Sequence, residues 1–143
     1  MASPDILQNR SSFTFFKLEN LRFSDTDMVG HINNVAFAAL IETGRTYFTQ
    51  GGEFPESPEG TQLVTARLEI DYRAELHWPG NVEVGTVLLS LGRSSFVLGN
   101  AIFKDELCAA TSRTVLVLID RGTRRPCELR PAYREALSRY LVR

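Results

Sequence analysis

The chain is poor in the residues that staple a small protein, hold a metal or lodge a chain in a membrane. Its two cysteines, Cys108 and Cys127, form no CxxC pair and have no histidine at metal-ligand spacing, so free thiols in a reducing compartment are expected. No apolar run approaches the roughly 20 residues of a membrane span. The opening MASPDILQNR lacks the pattern of a signal peptide, which points to a soluble, cytoplasmic protein. Strong charge is missing too: the formal net charge is −1, which argues against a general nucleic-acid binder. There are no internal repeats and no low-complexity segments.

What charge there is lies unevenly. Residues 1–112 hold 8 Lys/Arg against 14 Asp/Glu, a balance of −6, and residues 113–143 hold 8 Arg against 3 acids, a balance of +5. A basic end of this kind fits either a phosphate-bearing partner or a solvated face. At 143 residues the whole chain is expected to form one domain, with enough core to fold without staples.

Taken in order, residues 1–11 read as a frayed polar leader and residues 13–23 as a first strand. Residues 25–33 form a loop rich in Asp, Gly, His and Asn. Asn33 or Asn34 then caps a helix that Gly51 and Gly52 stop near Gln50. This helix is nearly free of charge and small or apolar on most sides, which predicts burial. Residues 53–60 (EFPESPEG) read as an exposed, mobile connection. Four β-like stretches follow, at 61–73, 82–91, 94–103 and 107–119, and short joins between them predict antiparallel hairpins. In the first, Leu68, Ile70 and Tyr72 alternate with Arg67, Glu69, Asp71 and Arg73. Pro131 suits the first turn of a terminal helix over 132–142. The reading is an α+β fold, with five antiparallel strands wrapped around one central helix and a short C-terminal helix. The exposed edges of such a sheet predict oligomerisation.

The informative stretch is residues 22–45, where a polar loop feeds directly into the helix. The first N–H groups of a helix have no internal partners, and that end carries about half a positive charge. A carboxylate beside such amides suggests an anion or oxyanion site. DxDxxG also opens like a calcium loop, but Val29 and Ala36 stand where ligands would be needed, so no metal is expected.

The run Asp25-Thr26-Asp27-Met28-Val29-Gly30-His31-Ile32-Asn33-Asn34 resembles the signature of the hot-dog-fold thioesterases of the 4-hydroxybenzoyl-CoA thioesterase family. Asp25, Asp27, Gly30, His31, Asn33 and Asn34 match it, and Phe37 stands where many members carry Tyr. The resemblance extends over nearly the whole chain, to Ile119-Asp120. It implies a hot-dog fold, a homodimer or dimer-of-dimers with sites at subunit interfaces, and hydrolysis of acyl-CoA or acyl-carrier-protein thioesters, with no cofactor beyond the coenzyme A of the substrate.

Carried over position by position, Asp27 becomes the catalytic nucleophile or general base. Asn34 supplies the backbone N–H that faces the thioester oxygen, and His31, the third catalytic candidate, orients or positions the substrate in preference to acting as general base, polarising the thioester or tying the loop down. Gly30 admits a positive φ or a close approach. Asn33 fixes the turn at the edge of the substrate site, where Phe37 lines the pocket, and Asp25 braces the loop. Arg93, Arg124 and Arg125, with Arg121, are candidates for the coenzyme A phosphates. Glu42, three residues from Arg45, is read first as a salt-bridge partner and second as an alternative base. His77 reads as an ordinary turn residue. Two other functions share the fold: a non-catalytic acyl-thioester binder, and a dehydratase or hydratase that pairs a His with a carboxylate.

Overall fold

Helix α1 (Asn34–Gln50) lies across a five-stranded antiparallel sheet in the computed structural model of the chain, which describes residues 5–142. The strands are β1 (Phe15–Asn20), β2 (Thr61–Tyr72), β3 (Asn81–Leu91), β4 (Ser95–Lys104) and β5 (Leu107–Asp120), in the sheet order β1-β3-β4-β5-β2. A short helix α2 (Pro131–Ser138) follows with Pro131 in its first turn. This is the expected hot-dog arrangement. Among the described residues no helix is long and apolar enough to cross a membrane.

The start of α1 is fixed by Asn33, whose side-chain oxygen accepts the Ala36 N–H at 2.9 Å. Ala36, Phe37, Leu40, Ile41, Gly44 and Arg45 form its buried stripe. Gly44 lets the helix touch the sheet, because a Cβ there would lie 2.4 Å from the Val84 side chain. Burial on all sides is not met within one protomer: Val35 is 71% and Tyr47 53% exposed. A single sheet covers one face of a helix, which leaves the outer face free. Arg45 is the charged exception in the stripe. It donates to Thr114 Oγ1 at 3.3 Å, and burial pulls its pKa below the ordinary arginine value, with the Glu42 carboxylate at 3.8 Å opposing.

Two apolar clusters fill the sheet's helix side and far end. One gathers Ile41, Val84, Ile102 and Ala110 under α1, and the other gathers Phe54, Leu88, Phe96, Leu118 and Leu137. Several sequence expectations change here. Residues 6–8 and 10–12 form 3-10 turns and not a frayed leader, because Leu7 is fully buried in a third cluster with Phe13 and Phe103; residues 1–4 lie outside the described part. Strand β1 is shorter than 13–23, since Phe13 turns into that cluster and residues 23–25 coil into a 3-10 turn. The 53–60 connection is not wholly exposed, because Phe54 packs on Phe48, Phe96 and Tyr140. Helix α2 ends early because the Val142 N–H is drawn to the Leu88 carbonyl at 2.8 Å.

The β3–β4 and β4–β5 hairpins match expectation, but β2 and β3 are not paired. Strand β2 pairs with β5 at the sheet edge, while β3 takes β1 on its outer side from Asn20–Asn81 to Phe15–Thr86. The eight residues of 73–80 span that gap with Leu76 buried beneath them. They run beside the polar loop: the Ile32 N–H bonds the Leu76 carbonyl at 2.8 Å, and His31 bridges to His77.

Candidate active site

Asp25 anchors the polar loop from below. It is buried, its carboxylate accepts the Arg22 N–H at 2.9 Å, and the Arg22 guanidinium closes on it at 2.9 Å. Burial opposes the charged form, but those Arg22 bonds outweigh it and hold the Asp25 pKa below its usual value. The Asp25 carbonyl takes both the backbone N–H of Asn33 at 2.8 Å and its side-chain NH₂ at 2.9 Å. Both halves of the Asn33 amide are therefore used inside the protomer, and Asn33 does not line the adjoining cavity.

Above this base the chain makes a tight excursion from Asp27 to His31. The Asp27 N–H donates to the His31 carbonyl at 2.8 Å, and Thr26 bridges to Ile32. Gly30 stands at the turn with φ +84°, a backbone that side-chain-bearing residues avoid. Asp27 Oδ1 accepts the N–H groups of Val29 at 2.9 Å and His31 at 3.1 Å. Its other oxygen has no hydrogen-bond partner among the described residues. One oxygen thus fixes the carboxylate and the other is left without a partner.

A cavity of about 320 Å³ opens beside it, lined by Asp27, His31, Asn34, Phe37, Tyr72 and Arg73 among others. Asn34 is the first residue of α1, and its N–H has no acceptor among the described residues. Phe37 and Tyr72 meet edge to face at 5.3 Å on the apolar wall, and the Tyr72 hydroxyl donates to the Asn34 carbonyl at 3.2 Å. On the polar wall His31 Nε2 lies 3.3 Å from Glu75 Oε2. The fold therefore joins Asp27, His31, Asn34 and Phe37 in one cavity, with Gly30 shaping its loop.

It also joins residues that the sequence reading passed over. Tyr72, Arg73 and Glu75 line the same space, and His77 is no ordinary turn residue, because its ring stacks edge-on with His31 at 5.0 Å. Only the alternation that ends β2 at Tyr72-Arg73 hinted at the first two.

Other candidates lie elsewhere. Glu42 is exposed two turns along α1, paired with Arg45. Arg93 donates to Glu128 at 2.7 Å and Arg124 to Gln62 at 2.9 Å, while Arg125 accepts the Asp120 N–H through its carbonyl. These arginines gather at the Thr61 end of β2, and the cavity sits at the Tyr72 end. Twelve residues of strand separate the two by roughly 30–35 Å in one protomer.

Residues 21–137 match the model of the Thioesterase-like superfamily. Among solved structures, a thioesterase from Thermus thermophilus, complexed with coenzyme A and Zn, is 30% identical over 90% of this chain and 95% of that one, with a TM-score of 0.76. A predicted thioesterase from Bacillus stearothermophilus is 28% identical over 89% of this chain and 96% of that one, with a TM-score of 0.78. The uncharacterized protein YsmA of Bacillus subtilis is 32% identical over 62% of this chain, and the match spans 60% of that relative's length.

Proposed function

The chain belongs to the thioesterase-like superfamily, and from that premise we propose that it hydrolyses acyl-CoA thioesters to a free acid and a thiol, as a member of the 4-hydroxybenzoyl-CoA thioesterase family. The observation that carries the proposal is that one cavity is lined both by Asp27, one of whose carboxylate oxygens has no partner among the described residues, and by Asn34, whose N–H, the first of α1, has none there either.

Thioester cleavage asks for little more than those two groups. A thiol of pKa about 8.5 leaves as a thiolate without a strong acid behind it. The developing oxyanion sits against the Asn34 N–H and the positive end of the helix, a kind of contact worth roughly 3–4 kcal/mol. Asp27 either takes a proton from the attacking water or attacks the carbonyl carbon itself; in the second case it expels the thiolate and forms an anhydride that water then opens. His31 positions the substrate from the polar wall. A second way to activate water rests on the 3.3 Å His31–Glu75 contact, in which the carboxylate would orient the imidazole as base. Glu75→Gln separates the two readings: it slows turnover substantially only in the second.

Coenzyme A held by the Thermus relative supports CoA as the carrier. The edge position of β2 supports a homodimer. Leu68 and Tyr72 are exposed along that strand, and antiparallel pairing of two copies would lay the Thr61 end of one against the Tyr72 end of the other. Arg121, which donates to the Thr61 carbonyl at 3.0 Å, and Arg124 would then face the cavity of the neighbouring copy, where the phosphates of coenzyme A need cations.

The test is a panel of short, long and aromatic acyl-CoAs beside carrier-protein thioesters of the same acyl chains, read as free thiol released. Faster release from CoA is expected. Faster release from the carrier protein moves the substrate class, and tight binding with no release across the panel replaces the enzyme by a binder.

A further inference from the structure

We propose that His31, Glu75 and His77 form a binding site for a late first-row divalent cation, of which Zn²⁺ is the type. One nitrogen from each imidazole and one carboxylate oxygen lie within 4.8 Å of one another. Glu75 Oε2 is 3.3 Å from His31 Nε2 and 3.6 Å from His77 Nε2. With metal–ligand bonds of about 2.0–2.1 Å, neighbouring ligands of a tetrahedral site stand about 3.3–3.4 Å apart. Two edges of the required triangle thus nearly have their final length. The third closes by rotation of the two rings, of which His31's is half-buried and His77's exposed, and which meet edge-on at 82°.

The backbone beneath these groups is fixed. His31 and His77 bridge as antiparallel neighbours, and the Ile32–Leu76 hydrogen bond locks the adjoining pair at 2.8 Å. The Lys104 ammonium holds the other flank, donating to the carbonyls of His77 at 3.2 Å and Pro79 at 3.3 Å. Three ligands therefore come from two braced segments 44 residues apart in sequence, which no local spacing could reveal.

The donor set selects the ion. Two imidazoles and one carboxylate suit Zn²⁺, Co²⁺ or Ni²⁺, whereas Ca²⁺ and Mg²⁺ want oxygen alone. Three protein ligands leave a fourth position open. Occupancy ties up the His31 ring and the Glu75 carboxylate, both of which line the cavity, and adds two positive charges to the wall that Asp27 shares. On the thioesterase reading, and only there, that makes the cation an inhibitor.

Only two histidines exist in the chain, so ring-nitrogen NMR reads both ligands without ambiguity. The full-length protein, stripped with a chelator, is titrated with Zn²⁺ while those signals are followed, and stoichiometry is taken by calorimetry. Both rings are expected to shift together at one ion per protomer. His77→Ala and the near-isosteric Glu75→Gln should each weaken binding at least tenfold, since even residues behind a ligand commonly matter that much. A circular dichroism melt shows whether each variant is folded, and Glu75→Gln carries the test if His77→Ala is not. Movement of neither ring, or of only one, overturns the site, as does unchanged affinity in a folded variant. These readouts use no thioester, so the site can stand while the thioesterase reading fails. If both hold, Zn²⁺ slows thiol release by the wild type and loses that effect in His77→Ala.

Discussion

The two ends of the sheet are built on opposite plans. At one end, Phe54 and Phe96 sit 6.0 Å apart, and Leu118, Leu137 and Tyr133 close round them, so that almost every apolar group is covered. Two of the arginines there are tied down, Arg93 to Glu128 and Arg134 to the Gly92 carbonyl at 2.7 Å. At the other end, bonding is nearly complete around Asp25 and Asn33 and, among the described residues, stops short at one oxygen of Asp27 and the N–H of Asn34, with the imidazole–carboxylate cluster beyond them. The first end is sealed and the second leaves a few groups unbonded. On the proposed reading, function sits where a well-braced loop leaves selected groups free, and not in a loosely held region.

That division is open to attack by substitution. The largest effect belongs to the sealed end: Phe96→Ala should lower folding stability by about 3–5 kcal/mol while the surviving folded fraction keeps its kcat, as checked by denaturant unfolding beside single-turnover assays. A large fall in kcat per folded molecule would dissolve the division.

Next comes the brace. Asp25→Asn removes a charge that holds the loop, with an expected loss of about 1.5–3 kcal/mol near neutral pH. The sign of its pH dependence follows from a folded pKa below the ordinary 3.8. The stabilisation is present above that value and disappears as pH falls through the lower folded one. Wild type should therefore lose more stability than Asp25→Asn below about pH 4, and parallel acid-unfolding curves would contradict this.

Gly30→Ala should cost about 1–2 kcal/mol from backbone conformation alone, because nothing lies where the new methyl would point. It should lower kcat by more than the fall in melting temperature would suggest, since the turn aims Asp27. The smallest effect is at the arginine end. Arg124→Ala should raise KM for an acyl-CoA by about fivefold, the equivalent of about 1 kcal/mol, and leave kcat and the KM for an acyl-pantetheine alone.

How much of this was legible beforehand differs by kind of contact. The start of α1 was legible to within one residue, at Asn33 or Asn34, and its stop at the Gly51-Gly52 pair, because caps are local chemistry. The strands were visible from alternation within two residues at most ends, and the loop from its own composition. What could not be read depended on distant partners. Nothing in Asp5-Ile6-Leu7 announces that Arg113 will hold Asp5 at 2.9 Å, or that Leu7 will sit against Gly99. Nor does His77 reveal that the crossover from β2 to β3 will lay it beside His31. Arg93 is a coenzyme A candidate by the family resemblance and Arg121, Arg124 and Arg125 are further candidates beside it, and neither ground says which end of a strand lies at the cavity.

On the proposed reading, hydrolysis turns on the free oxygen of Asp27, and Asp27→Asn tests it with one change of atom. Oδ1 can keep its two backbone bonds, so the melting temperature should stay near that of the wild type. Meanwhile kcat toward the best acyl-CoA should fall at least about 100-fold, the equivalent of about 2.7 kcal/mol. An Asp27→Asn protein that melts like the wild type and turns over at the wild-type rate would contradict it.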